Sequence, residues 1–147
     1  MNNLFFAILI FTGLQNTEIG IKISIDGVIF PSFSVSYYLD NKNGIELSLT
    51  GAPVQGSFIF RYEINYVFRN TTNGNFFPYI KAGIGHMGGE GKHILDFHPE
   101  PGIVFSRWNK TRLYLGLENL FIFKRFGTQR KTIRFVPMIN FSGMYGL

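Results

Sequence analysis

Between Phe58 and Phe68 the chain alternates without a break. Phe58, Phe60, Tyr62, Ile64, Tyr66 and Phe68 share one parity, and Arg61, Glu63 and Asn65 share the other. A strand puts successive side chains on opposite faces, whereas a helix would wind these residues around its axis. A strict period of two is therefore a strand with one greasy and one polar face.

The same rhythm recurs from Glu18 onward. Ile19, Ile21, Ile23 and Ile25 oppose Gly20, Lys22, Ser24 and Asp26. Phe33, Val35, Tyr37 and Leu39 oppose Ser32, Ser34, Ser36 and Tyr38, and Ile45, Leu47 and Leu49 oppose Glu46, Ser48 and Thr50. Beyond the fourth strand, Ile80, Ala82 and Ile84 oppose Tyr79, Lys81, Gly83 and Gly85. Leu95, Phe97, Ile103 and Phe105 oppose Asp96, His98, Glu100 and Ser106, in a stretch that Pro99 and Pro101 mark for a bulge or an edge. Leu113, Leu115 and Leu117 oppose Arg112, Tyr114, Gly116 and Glu118; Ile133, Phe135, Ile139 and Phe141 oppose Arg134, Asn140 and Ser142. Turn sequences such as Asp26-Gly27, Asn43-Gly44 and Gly51-Ala52-Pro53 punctuate the series. Eight consecutive hairpin-linked strands predict an all-β fold, an eight-stranded antiparallel up-and-down barrel.

Alternation alone leaves open which face is inside. A soluble ligand-binding barrel hides its greasy face, and a transmembrane barrel hides its polar one. Only 16% of the residues are charged, against about 25% in ordinary soluble domains. The polar face is built mostly of Ser, Gly, Thr and Asn. Its charges, Glu46, Glu63 and Glu118 with Arg61, Lys81, Arg112 and Arg134, are three acids against four bases, and buried charge is tolerated when paired. These seven residues are the expected polar network of a lumen. Aromatic residues make up 17% of the chain, and Phe30, Tyr37, Phe58, Phe68, Phe77, Phe105, Phe123 and Tyr145 sit near strand ends, as interfacial girdles do. The expectation is a transmembrane barrel, and the direction of Arg61, Glu63 and Arg112 decides it.

Leu4 to Leu14 is an uncharged apolar run too short to span a bilayer as a helix, for which about 20 residues are needed, but suited to the core of a secretory signal. Residues 1–17 are read as that signal and 18–147 as the barrel domain. The absence of cysteine excludes disulfides, a thiol nucleophile, Cys-based zinc sites and a lipoprotein anchor. The net charge of +5 includes one cluster, Lys124, Arg125, Arg130, Lys131 and Arg134. It reads as a basic hairpin or as a contact for anionic lipid or lipopolysaccharide. Basic and aromatic residues alternate along strands rather than forming a stripe, so no nucleic-acid partner is expected.

His86, His93 and His98 lie near the Gly88–Gly91 turn with Glu90 and Glu100 close in sequence. Their spacing matches no metal template, so no metal site, cofactor or catalytic residue is assigned; a hydrolase site drawing on His98, Ser106 and Glu100 is the competing reading. The glycines around Gly83 to Gly91 read as room in the lumen and a tight turn, since no Lys-Ser/Thr follows as in a phosphate cradle.

Phe76 to Met87 (FFPYIKAGIGHM), an aromatic-Pro-Tyr segment followed by Gly-x-Gly, resembles a strand of the small eight-stranded outer-membrane barrels, the outer-membrane protein A transmembrane domain and the opacity-type proteins. Phe141, Gly143, Tyr145 and Leu147, on one parity, are similar to the terminal assembly signal of those barrels, which prefers Phe where this chain has Leu147. The resemblance covers Glu18 to Leu147 and implies a monomeric barrel of the bacterial outer membrane among lipids and lipopolysaccharide. Leu95 to Trp108 also resembles a strand of the lipid A deacylases. The His-x-Ser pair that family carries on its next strand is missing from Thr111 to Lys124. The leading expectation is a non-enzymatic barrel with a structural or surface-interaction role. A lipid A-modifying hydrolase and a secreted lipocalin-like barrel binding a small apolar ligand stand as alternatives.

Overall fold

The computed structural model describes residues 16–26, 29–54, 57–71, 74–89, 92–108, 110–126 and 130–147. Eight strands follow in chain order: β1 (Thr17–Ile25), β2 (Ile29–Tyr38), β3 (Asn43–Val54), β4 (Ser57–Arg69), β5 (Phe76–Gly89), β6 (Lys92–Trp108), β7 (Thr111–Phe126) and β8 (Arg130–Gly146). Each pairs antiparallel with its neighbour. β1 also pairs with β8, from Glu18↔Gly146 to Ile25↔Ile139, which closes the sheet into a barrel without an edge. Closure leaves the sheet no open edge, the condition for crossing a bilayer with strands. Of the expected secretory segment, residues 1–15 lie outside the described residues, and Thr17 opens β1 opposite Tyr37.

The alternation resolves as an inversion. Ile64 on β4 is 56% exposed and Phe33 on β2 55%, while Arg61 and Glu63 are 5% and 2% exposed inside the barrel. Phe58, Phe60, Leu47, Leu115 and Ile139 face outward with them. A water-soluble barrel would show the reverse, so the surface is built for hydrocarbon and the lipocalin-like alternative fails on geometry. Two expected girdle aromatics are corrected. Phe77 points inward and packs with Tyr79, Val104, Tyr114 and Met144, and half-buried Phe30 lines the lumen at the opposite end. Both sit where the strand begins, and the apolar character of a neighbour there masks the true parity.

Pro99 and Pro101 pair normally with Ala82 and Ile80 on β5. On the other side the β6–β7 ladder has a gap between Phe97↔Phe121 and Gly102↔Gly116, where proline has no N–H to give. The register shift falls further on, between Phe105 and Trp108. At the end where β1 starts and β8 finishes, the β2–β3 connection is tied by Asp40, whose carboxylate accepts from the amides of Lys42 and Asn43 at 2.6 Å each and from Asn43 Nδ2 at 2.7 Å.

Candidate functional site

Inward positions on all eight strands converge on one polar network along the barrel axis. At its centre stands Arg61 of β4. Its Nε and Nη2 donate to the two carboxylate oxygens of Asp96 at 3.0 and 2.8 Å, a bidentate clamp across to β6, and Nη1 donates to Glu63 Oε1 at 2.8 Å. Nη2 also lies 2.8 Å from Glu118 Oε1, satisfying the distance but not the alignment of a hydrogen bond. Lys22 of β1 reaches Glu63 Oε2 at 2.9 Å and Glu118 Oε2 at 3.6 Å.

One layer aside, Lys81 of β5 donates to Glu46 of β3 at 3.0–3.1 Å and lies 3.8 Å from Glu100 Oε1. Tyr79 donates to Glu100, and Asn140 of β8 bridges Glu100 and Glu118 through its Nδ2 at 2.5 and 2.7 Å. Hydroxyls complete the layer, with Ser36 and Ser48 both donating to Glu46 at 3.2 Å. At the end where β1 starts and β8 finishes, a second cluster forms around Glu18, which accepts from Arg69 at 2.7 Å, from Arg112, and from Tyr114 at 3.1 Å. The Arg69 guanidinium lies over the Tyr38 ring at 3.6 Å.

Of the seven residues expected in the lumen, Glu46, Arg61, Glu63, Lys81 and Glu118 meet in the central layers. Arg112 sits apart at the mouth with its side chain 25% exposed, paired to Glu18. The Arg134 side chain lies outside the described residues; its backbone pairs with Ile122. Sequence reasoning left out Glu18, Lys22, Arg69, Asp96, His98 and Glu100. All carry the inward parity, so the signal was present, but parity does not say which inward residues become neighbours across the lumen.

The three histidines separate. His86 stacks on Tyr62 on the outer face, with ring centroids 6.5 Å apart. The side chain of His93 lies outside the described residues, as does Glu90. His98 is fully buried in the lumen. Its Nδ1 meets Asp96 Oδ1 at 2.6 Å and its Nε2 meets Asn65 Oδ1 at 2.7 Å, while Asn65 Nδ2 turns toward Glu46 and Glu63 at 3.4 and 3.5 Å. Ser106 lies eight residues from His98 on the same strand, roughly 26 Å away at the ordinary rise. The two cannot act together, and the ring nitrogens of His98 are already engaged. Glu63, His98 and Glu118 do bring ligand-type atoms within 4.8 Å of one another. Lys22 and Arg61 occupy the facing carboxylate oxygens and would repel a further cation there.

Small residues make the network possible. A Cβ on Gly83 would sit 2.0 Å from Asn65 Oδ1, and one on Gly116 would sit 2.2 Å from Tyr79 Oη. A narrow eight-stranded lumen has room for long ionic side chains only where their neighbours have none.

No protein-family model matches the chain, and no curated protein matches it. Among solved structures it is similar to the N-terminal β-barrel domain of OprF from Pseudomonas aeruginosa, with a TM-score of 0.71, 14% identity, and coverage of 89% of this chain and 97% of that one. It is also similar to neisserial surface protein A (NspA), at a TM-score of 0.65 and 12% identity, covering 89% and 94%. The Yersinia pestis outer membrane protein Ail, in a phospholipid bilayer nanodisc, gives a TM-score of 0.55 at 13% identity, covering 88% and 97%. At these identities the likeness shows a shared fold: an eight-stranded barrel of the kind found in outer-membrane proteins.

Proposed function

We propose that this protein is a monomeric barrel of the bacterial outer membrane that works without catalysis, as a structural and surface-interacting element among outer-membrane lipids and lipopolysaccharide. One observation carries the reading: a belt of exposed Ile, Leu, Phe and Tyr surrounds a lumen whose ionic groups are bonded to each other. The inner groups serve the barrel. Each ionised side chain described in the centre is held by partners on other strands, so these groups fill and brace the lumen. The start of β1, the end of β8 and the Glu18 cluster then face the periplasm, and the connections at the far end, none longer than three residues, face outward. Connections so short suit contact with the membrane surface rather than a large adhesive loop.

The test is electrophoretic and chemical. The barrel extracted in detergent should migrate differently before and after boiling and should precipitate when detergent is withdrawn. Full solubility without detergent, with unchanged mobility, overturns the reading. Lipid A from cells expressing the protein should keep its mass; a mass change that a His98→Ala variant abolishes would establish the hydrolase instead.

A further inference from the structure

Inward residues change character along the barrel axis. Ionic and hydroxyl groups hold the middle, but toward the end where β1 finishes the inward positions are Ile59, Leu120, Ile122, Val136 and Met138. With Met87 they wall a cavity of about 310 Å³, whose floor is formed by Ser24, Thr50 and Arg61 and whose rim carries Asp26. This volume is at the low end of small-ligand sites, which run from about 300 to 1,000 Å³. The floor is committed except at one atom. Arg61 donates to Asp96 and Glu63, and the Thr50 hydroxyl is bonded to Ser32 and Glu63. Ser24 is 2% exposed and makes no side-chain hydrogen bond among the described residues. The ladders of β1 set it between Phe30 of β2 and Asn140 of β8, at the foot of the apolar wall.

We propose that this cavity binds a small, uncharged, apolar molecule carrying one hydrogen-bonding oxygen, with the oxygen at Ser24 and the apolar body against the walls. The proposal adds a site to the membrane reading above and does not depend on it. Four observations select this occupant. Apolar walls, in a lumen otherwise built from hydroxyls and charges, favour an apolar body. A buried hydroxyl calls for a hydrogen-bond partner, and Ser24 has its partner still to find. An ionised group among these walls would lose its hydration, and the floor offers no free opposite charge, since the Arg61 guanidinium is already shared between Asp96 and Glu63. The Asp26 carboxylate opposes an anion further, and its exposed place at the rim leaves it to meet a cation outside the walls. Size follows from the strands. β7 and β8 each line the cavity with residues two apart (Leu120 and Ile122, Val136 and Met138), roughly 7 Å of strand, which admits a single ring and not a lipid tail. The site occupies a mouth; the centre, which a soluble ligand-binding barrel would leave open, is filled by ion pairs.

The methionines provide reporters, with Met87 and Met138 lining the cavity and Met144 buried apart from it in the cluster with Phe77 and Tyr79. The full barrel, with ¹³C-methyl methionine, is placed in nanodiscs of deuterated zwitterionic phospholipid. It is titrated with four probes of similar size: cyclohexanol, methylcyclohexane, cyclohexanecarboxylate and cyclohexylammonium. The methyl signals of Met87 and Met138 should shift saturably with the two neutral probes while Met144 stays still, and neither ion should reproduce the shift. Ser24→Ala should weaken cyclohexanol about twofold to tenfold, the scale of one hydrogen bond, and leave methylcyclohexane unchanged. Filling the cavity with Val136→Phe should weaken both neutral probes about tenfold or more with the Met144 signal unchanged. The proposal is overturned if Met87 and Met138 ignore cyclohexanol, if either ion binds as tightly, or if Ser24→Ala affects the two neutral probes alike. It is also overturned if all three methionines move together, as in simple partition into the bilayer. Boiling-dependent mobility tests the membrane reading separately, so the two can fail independently.

Discussion

The side chain most tightly held by its neighbours is His98. Its Nδ1 meets a carboxylate oxygen of Asp96 and its Nε2 the amide oxygen of Asn65, and the amide of Asn65 is oriented by the carboxylates beyond it. The ring therefore links the Arg61–Asp96 pair to Asn65 and is fixed at both ends. Arg61 offers an energetic test. Arg61→Met leaves Glu63, Asp96 and Glu118 buried without their shared guanidinium, and removing one partner of a buried pair costs about 3–5 kcal/mol. Urea unfolding in lipid vesicles should show a loss of that size. A change under ~1 kcal/mol, the scale of exposed pairs, would place these groups in contact with water.

At the scale of the element, the turn of each strand toward or away from the lumen was legible almost throughout, because a period of two survives any choice of partner. What sequence could not supply was register. Asp96 meets Arg61 because β4, β5 and β6 are staggered as they are, and nothing in the β6 segment Leu95 to His98 announces that stagger. His98 illustrates the loss: its place on the polar face of β6 was legible, but its contacts with Asn65 of β4 and its separation from His86 were not. The glycines of β5 were read as room, and the contacts give that a test. Gly83→Val would drive its side chain into Asn65 and the Ile64 carbonyl, where overpacking costs roughly 1–3 kcal/mol. Ala82→Val on the outward side of the same strand should be near neutral in the same urea titration. The β2–β3 connection carries a pH dependence of its own. Hydrogen bonds from the Asn43 side chain and from the Lys42 and Asn43 amides hold the Asp40 carboxyl below its ordinary 3.8. Because the folded form binds the proton less tightly, the contribution of Asp40 is present above that ordinary value and fades as pH falls through the lowered one. Exchange of the Lys42 and Asn43 amides should accelerate on acidification relative to β-ladder amides, and Asp40→Asn should remove the dependence.

For the molecule as a whole, the decisive asymmetry is between neighbours in sequence. Glu63 and Ile64 are adjacent on β4, yet one is sealed among Lys22 and Arg61 and the other stands on the outer surface near the middle of the strand. In a soluble barrel, an exposed Ile replaced by Arg would be neutral or would improve solubility. On a lipid-facing belt the same change places a cation in hydrocarbon, at about 2–4 kcal/mol near the bilayer midplane and about 0–1 near the interfaces. Ile64→Arg should therefore lower stability in vesicles by several times more than Phe58→Arg at the strand end, and the gap should close in urea-unfolded controls, where both arginines are hydrated. Equal, small effects at the two positions would put water against the middle of β4 and remove the membrane from the account. The depth dependence is what separates the two cases, because a surface charge in water has no depth to sense.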